Sequence, residues 1–297
     1  MGLFSNSYIT PGKGVDPEDA QKRPFFLFWE LIWRRFSRFI ALNLTYLVFI
    51  LPIVVAVYTF YTLNILELLL PVNGLEELGA YLAEHPIPLP QFALTVAFSV
   101  PQPLAIGLLA VSAVLYGPAT CGLTYILRNF ARQEHAWHSD FFAKMKENFF
   151  QGMVIGLMEL AVYSAFFVSI FGGLPESGML TLSRVVAAIA SVLFMFMRHY
   201  FYVQIVTFKL PLKNIIKNAW IFFVLGFFRN LLVTAVIILT ASILFMIPLL
   251  EMVAVPVIAF SFWGFLTTFT CWPVIQKYMI DLPAAQAKEA EDGSDNR

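Results

Sequence analysis

The chain has 297 residues, of which 59% are apolar, 16% aromatic and only 13% charged, and its mean hydropathy is +0.76. Soluble domains hold roughly 45 to 50% apolar and about 25% charged residues, so this chain has too little charge to coat a surface in water and reads as a membrane protein. Its 19 Lys plus Arg balance 19 Asp plus Glu; together these figures exclude intrinsic disorder, a disulfide-stapled secreted domain and a generalised nucleic-acid binder.

Residues 1–24 are polar, carry Pro11, Gly12, Gly14 and Pro17, and lack the apolar core of a cleavable signal peptide. They read as a flexible cytosolic leader, with the first membrane helix serving as the insertion signal. Next, Trp29, Trp33, Phe36 and Ile40 recur at helical spacing while Glu30, Arg34, Arg35 and Arg38 take the other faces. Such a segment should lie in the membrane interface, with Trp29 and Trp33 at headgroup depth and Arg34, Arg35 and Arg38 toward anionic lipid phosphates. Similar basic and aromatic lead-ins run from Phe141 to Phe150 and from Leu212 to Arg229.

A helix needs about 20 mostly apolar residues to cross a bilayer. Six stretches qualify: about Phe39–Leu63, Leu104–Leu127, Phe149–Phe171, Arg184–Phe208, Leu231–Ile247 and Val253–Ile275, the last two parted at Pro248-Leu249-Leu250-Glu251. The predicted fold is all-α: a polytopic transmembrane bundle of six spans in three hairpins, each introduced by an interfacial amphipathic helix. The three units resemble a repeat, with the apolar run ending at Pro52 in the first and Pro248 in the last. The membrane domain is 25–278, interrupted by an insertion at 64–103, and 279–297 is a polar tail.

Seventeen of the 19 basic residues fall in the leader, the second and fourth loops and the tail, whereas 64–103 holds no Lys or Arg but has Glu67, Glu76, Glu77 and Glu84. The positive-inside rule then predicts cytoplasmic termini and an extracellular insertion. Within that insertion an amphipathic helix is expected near Gly74–Glu84, followed by an extended His85-Pro86-Ile87-Pro88-Leu89-Pro90 run.

Leu51-Pro52-Ile53-Val54 closing the first span, Gly117-Pro118-Ala119-Thr120 and Tyr125-Ile126-Leu127-Arg128 in the second, and the basic run Phe208–Ala219 resemble the signature of the YesL-like family, the domain of unknown function 624. The resemblance spans about Phe25 to Tyr278. It implies a bacterial cell-membrane protein of unassigned activity, associated with carbohydrate uptake as a non-enzymatic accessory or scaffold, with a sugar permease as a partner. In the family pattern the Leu-Pro and Gly-Pro elements almost adjoin, so the 64–103 insertion departs from it.

Few ionisable groups lie inside spans, where an unpaired charge costs several kcal/mol. Glu159 and Arg198 each lie ten residues from a span end, roughly 15 Å deep, in adjacent antiparallel helices. They are expected to pair, either as a structural ion pair or, with His199, as the polar site of a small-solute transporter or channel. Tyr200 and Tyr202 follow and add polar groups. Gly117 and Pro118 mark a candidate kink in the second span. The His135-Ala136-Trp137-His138-Ser139-Asp140 run is weak evidence for a metal, and Cys121 and Cys271 read as filler. There is no Walker loop, dinucleotide fingerprint, HExxH or GxSxG, so neither an enzyme nor a cofactor is expected.

Overall fold

The structure, a computed structural model, describes residues 23–69, 75–84, 101–171, 178–247, 250, 253–284 and 286. The expectations for the leader up to residue 22, the proline run at 85–90, the break at Pro248, Leu249 and Glu251, and the tail beyond residue 286 fall outside those residues. The described residues form an all-α bundle with six helices long and apolar enough to cross a membrane.

Helix α1 spans Pro24–Arg34 and α2 Phe36–Leu69. α1 turns Phe28, Leu31 and Ile32 inward at i, i+3, i+4 spacing, the stripe that lets a surface helix bury one side. Phe28 stacks on Phe265 at 5.2 Å between ring centroids, and Trp29 and Trp33 face outward. α2 passes through Pro52 without ending, which corrects the reading that the Leu51–Val54 element closes the span. A buried proline costs one backbone hydrogen bond and a bend, and packing around a long apolar helix can absorb both. α2 also carries residues 64–69 of the predicted insertion, and α3, Leu75–Glu84, supplies its amphipathic helix.

Helix α4, Gln102–Ala131, is the hub. It touches α1, α2, α5 (Ser139–Glu147), α6 (Phe149–Phe171), α7 (Gly178–Thr207) and the last span. The tightest contact is with α6 and is built from glycine. A Cβ on Gly117 would collide with the Gly152 carbonyl, and one on Gly156 would sit 2.7 Å from the Gly117 Cα. Gly152 and Gly156 are one turn apart on α6, the small-xxx-small spacing that lets membrane helices approach backbone to backbone.

The third hairpin has α8, Leu212–Leu225, and α9, Phe227–Met246. The last span, α10, is Phe260–Ile275 flanked by π-helical turns at Val255–Ala259 and Gln276–Asp281. The first π turn is held by Asn43 of α2, which is wholly buried. Its amide donates to the Val255 and Pro256 carbonyls at 2.8 and 2.7 Å and accepts the Ser261 N–H at 3.0 Å. Backbone carbonyls and an amide of the widened turn are thus paired from a neighbouring helix.

The three short helices α1, α5 and α8 are the lead-ins. Cation and backbone contacts gather the helix ends they precede at one end of the bundle. Arg35 lies 4.4 Å over the Phe130 ring and Arg132 4.8 Å over Trp272. Arg128 donates to the Val206 carbonyl, Gln151 to that of Leu210 and Arg229 to that of Thr270.

Candidate functional site

Glu159 on α6 is almost fully buried. Its carboxylate is bonded from two helices: Oε1 accepts from the Tyr116 hydroxyl of α4 at 2.6 Å and from Arg198 Nε of α7, while Oε2 accepts from the Tyr202 hydroxyl at 2.9 Å. Helical spacing delivers this arrangement, because Arg198 and Tyr202 are one turn apart on α7 and present the same face. A buried carboxylate of this kind is tolerable only when cation and hydroxyl donors replace its hydration shell. Arg198 also lies near the Tyr116 hydroxyl at 3.4 Å and leans on the Tyr202 ring.

The Arg198 side chain is 26% exposed while that of Glu159 is 2% exposed. Both side chains border a cavity of about 380 Å³ within the bundle, and the guanidinium is the more open of the two. Tyr46, Tyr116, Tyr163, Tyr202 and Trp263 supply aromatic walls, and Thr120, Thr124, Thr267, Thr268 and His199 supply hydroxyls and an imidazole. Several of those groups are already oriented. The Thr120 hydroxyl donates to the Tyr116 carbonyl at 2.8 Å, so at its 2.9 Å contact with Tyr46 it is the acceptor. Trp263 Nε1 donates to Thr240 at 3.0 Å. His199 Nε2 lies 3.0 Å from the Thr234 hydroxyl, and its buried Nδ1 has no partner among the described residues.

The singled-out residues are distributed as follows. Glu159, Arg198 and His199 border one cavity, joined there by Tyr202; Tyr200 turns away and donates to Asn230 at 2.8 Å. Gly117 and Pro118 lie inside an unbroken α4, and Gly117 serves the backbone crossing with α6. Of the interface residues, Trp29, Trp33, Arg34 and Arg38 face outward, whereas Arg35 is half-buried on Phe130. Arg35 therefore departs from the lipid-facing expectation: the chain breaks between α1 and α2 there and turns its guanidinium inward onto an aromatic face. Burial, then the Arg34 and Arg38 cations, push the Arg35 pKa down from its ordinary value.

His135, His138 and Asp140 separate into three contacts, to the Trp137 ring, the Thr45 hydroxyl and the Trp137 N–H. Among the described residues no three His, Cys, Asp or Glu side chains form a metal-holding group. Cys121 and Cys271 are buried free thiols.

Tyr46, Tyr116, Trp263 and the cavity threonines Thr124, Thr267 and Thr268 were not singled out by the sequence, nor was Asn43; Thr120 stood there only within the Gly117–Thr120 element. Two signals were there to read. Tyr163 and Tyr202 stand one turn beyond Glu159 and Arg198, and Gly152-Met153-Val154-Ile155-Gly156 has the spacing of a close helix crossing.

Fold and site together define a polytopic α-helical membrane protein with a polar, aromatic-walled cavity around a buried ion pair. Residues 39–170 match the model of the family described as "Protein of unknown function, DUF624", the family whose signature the Leu-Pro and Gly-Pro elements resemble. That segment holds α2 through α6, and so Tyr46, Tyr116 and Glu159 but not Arg198. No curated protein and no solved structure matches the chain.

Proposed function

We propose that the chain is a small-solute binding membrane protein of the transporter class, whose mid-bundle cavity accepts a small polar solute. The observation that carries this reading is the cavity of about 380 Å³ bordered by the Arg198 guanidinium together with its counter-charge Glu159, the arginine being the more exposed of the pair. A sealed apolar bundle would favour a scaffold; a space within the usual 300 to 1,000 Å³ range of ligand sites, with convergent polar groups on aromatic walls, favours a binder. Because Glu159 compensates the cation, the site suits a neutral or singly anionic polyhydroxyl solute better than a cation. The reading is of binding and passage, not of catalysis.

The protein would lie in a bacterial cell membrane with both termini cytoplasmic. Support comes from the positive-inside rule and from the gathering of Arg35, Arg128, Arg132 and Arg229 at one end of the bundle. An accessory role beside a sugar permease rests on the family resemblance and is compatible with a bound sugar.

The test is titration of the full chain in nanodiscs with a monosaccharide, a disaccharide and a sugar acid, following tryptophan fluorescence and thermal midpoint. At least one should give a saturable response that Arg198→Lys abolishes while leaving the thermal midpoint near that of the parent. Lysine keeps the charge but loses the planar guanidinium donors. Absence of any saturable response that depends on Arg198 overturns the reading; co-purification of a sugar permease from native membranes would then support the scaffold role.

A further inference from the structure

A second cavity lies toward the basic end, and neither Glu159 nor Arg198 lines it. It has a volume of about 370 Å³ and is bordered by Ser37 and Arg38 from the first turn of α2, Phe130 from the end of α4, and Trp137 and His138 from the loop that follows. Among the described residues no ion pair neutralises the Arg38 that borders it. Two neighbouring carboxylates are paired with other arginines, Glu30 with Arg34 at 4.0 Å and Glu134 with Arg132 at 2.6 Å, while Asp140 accepts the Trp137 N–H at 2.8 Å at the cavity's rim. Arg38 has no hydrogen bond or ion pair among the described residues, and Arg35 presses on Phe130 with a buried Nη1 that also lacks a partner there. Crowding of Arg35 by Arg34 and Arg38 is felt electrostatically, so an anion between them would relieve it.

The imidazole is oriented as well. The Thr45 hydroxyl donates its hydrogen to the Ala41 carbonyl at 2.9 Å, so in its 2.9 Å contact with His138 it must accept, and Nε2 carries the hydrogen. In the neutral ring Nδ1 is then an acceptor with no partner among the described residues. A cation and an acceptor thus share one cavity at the start of the first span, which begins at Phe36, where a chain entering the bilayer meets lipid headgroups.

We propose that this cavity binds a phosphate group carried by a hydroxyl-bearing moiety, and that its occupant is the headgroup of an anionic glycerophospholipid, with Arg38 holding the phosphodiester and His138 Nδ1 accepting from a headgroup hydroxyl. A free phosphate ester would satisfy the same groups. The interfacial position favours the lipid, since an acyl chain can run down the bundle while the phosphate stays at the arginines.

The experiment uses the full chain in nanodiscs of phosphatidylcholine doped with phosphatidylglycerol or phosphatidylmethanol, scoring retained lipid by native mass spectrometry, with and without millimolar glycerol phosphate. Phosphatidylglycerol should be retained over phosphatidylcholine. Arg38→Gln should cut that retention by roughly tenfold or more, the loss of one charge-assisted contact. Arg34→Gln, outside the cavity, should cost only about fivefold and do so for both anionic lipids alike. His138→Ala, which tests the acceptor, should lower phosphatidylglycerol about fivefold without lowering phosphatidylmethanol, whose headgroup has no hydrogen-bond donor. Displacement of the lipid by glycerol phosphate would assign the site to a soluble ester. An Arg38 variant no worse than the Arg34 variant, or a His138 variant that lowers both lipids or neither, overturns the proposal. Should Arg38→Gln fail to fold, the His138 comparison decides alone.

Discussion

Two arginines are held inside this bundle by different means. Arg198 meets a full carboxylate, Glu159, within a set of tyrosine hydroxyls. Arg128, on α4 near the basic end, has no carboxylate in contact among the described residues. Its Nε and Nη2 donate to Asn129 Oδ1 at 3.1 and 2.8 Å, and its Nη1 to the Val206 carbonyl and the Thr207 hydroxyl at 3.0 and 2.9 Å. Val206 and Thr207 end α7, so the cation sits on the negative pole of a helix. Depth explains the difference. Near the end of a helix, backbone dipoles and unpaired carbonyls are at hand; at mid-span every carbonyl is already used, and only a counter-charge can stabilise the guanidinium. Arg198 alone borders the central cavity, so the costlier solution is also the one with room for a ligand.

The sharpest way to break this contrast is to remove each partner in turn. Glu159→Gln leaves Arg198 buried without its counter-charge and should cost about 3 to 5 kcal/mol, read as a collapse of the thermal midpoint in detergent. Adding Arg198→Met to that variant should restore most of the loss, because no unpaired charge then remains. Unchanged folding of the single variant would show that water in the cavity already carries the charge. Arg128→Met should be milder, about 1.5 to 3 kcal/mol for lost charged hydrogen bonds, and needs no second-site change. If Arg128→Met proves the more damaging of the two, the account of depth is wrong.

How much of this was legible beforehand follows from the same physics. The six spans and three lead-ins are written in hydropathy and charge placement, because the bilayer acts on each segment separately. Glu159 and Arg198 stood out for the same reason, as charges where charges are expensive. The rest of the cavity depends on how helices rotate against each other. Tyr46, Thr120 and Trp263 look like ordinary membrane residues until α2, α4 and α10 are packed. Asn43 is one polar residue in an apolar run, and its role emerges only when the π turn of α10, 212 residues away, comes beside it. Pro52 signalled an end, yet it lies inside a continuous helix; at Pro118 the neighbouring Gly117, with Gly152 and Gly156, brings α4 against α6.

The smallest effects separate the two oxygens of Glu159. Oε1 has two donors, Tyr116 and Arg198, but Oε2 has only the Tyr202 hydroxyl among the described residues. Tyr202→Phe therefore strands a buried carboxylate oxygen and should cost about 1.5 kcal/mol, whereas Tyr116→Phe leaves Arg198 in place and should cost about 0.5 kcal/mol. Thermal midpoints of the two variants, measured in the same detergent, give the order directly. Equal losses would mean that the carboxylate turns to share its remaining donors, and a larger loss from Tyr116→Phe would mean that this hydroxyl, which also lies 3.4 Å from Arg198, is what holds the guanidinium toward α6. Since Tyr116 stands next to the glycine crossing of α4 and α6, that result would tie the ion pair's orientation to the close approach of those two helices and away from α7.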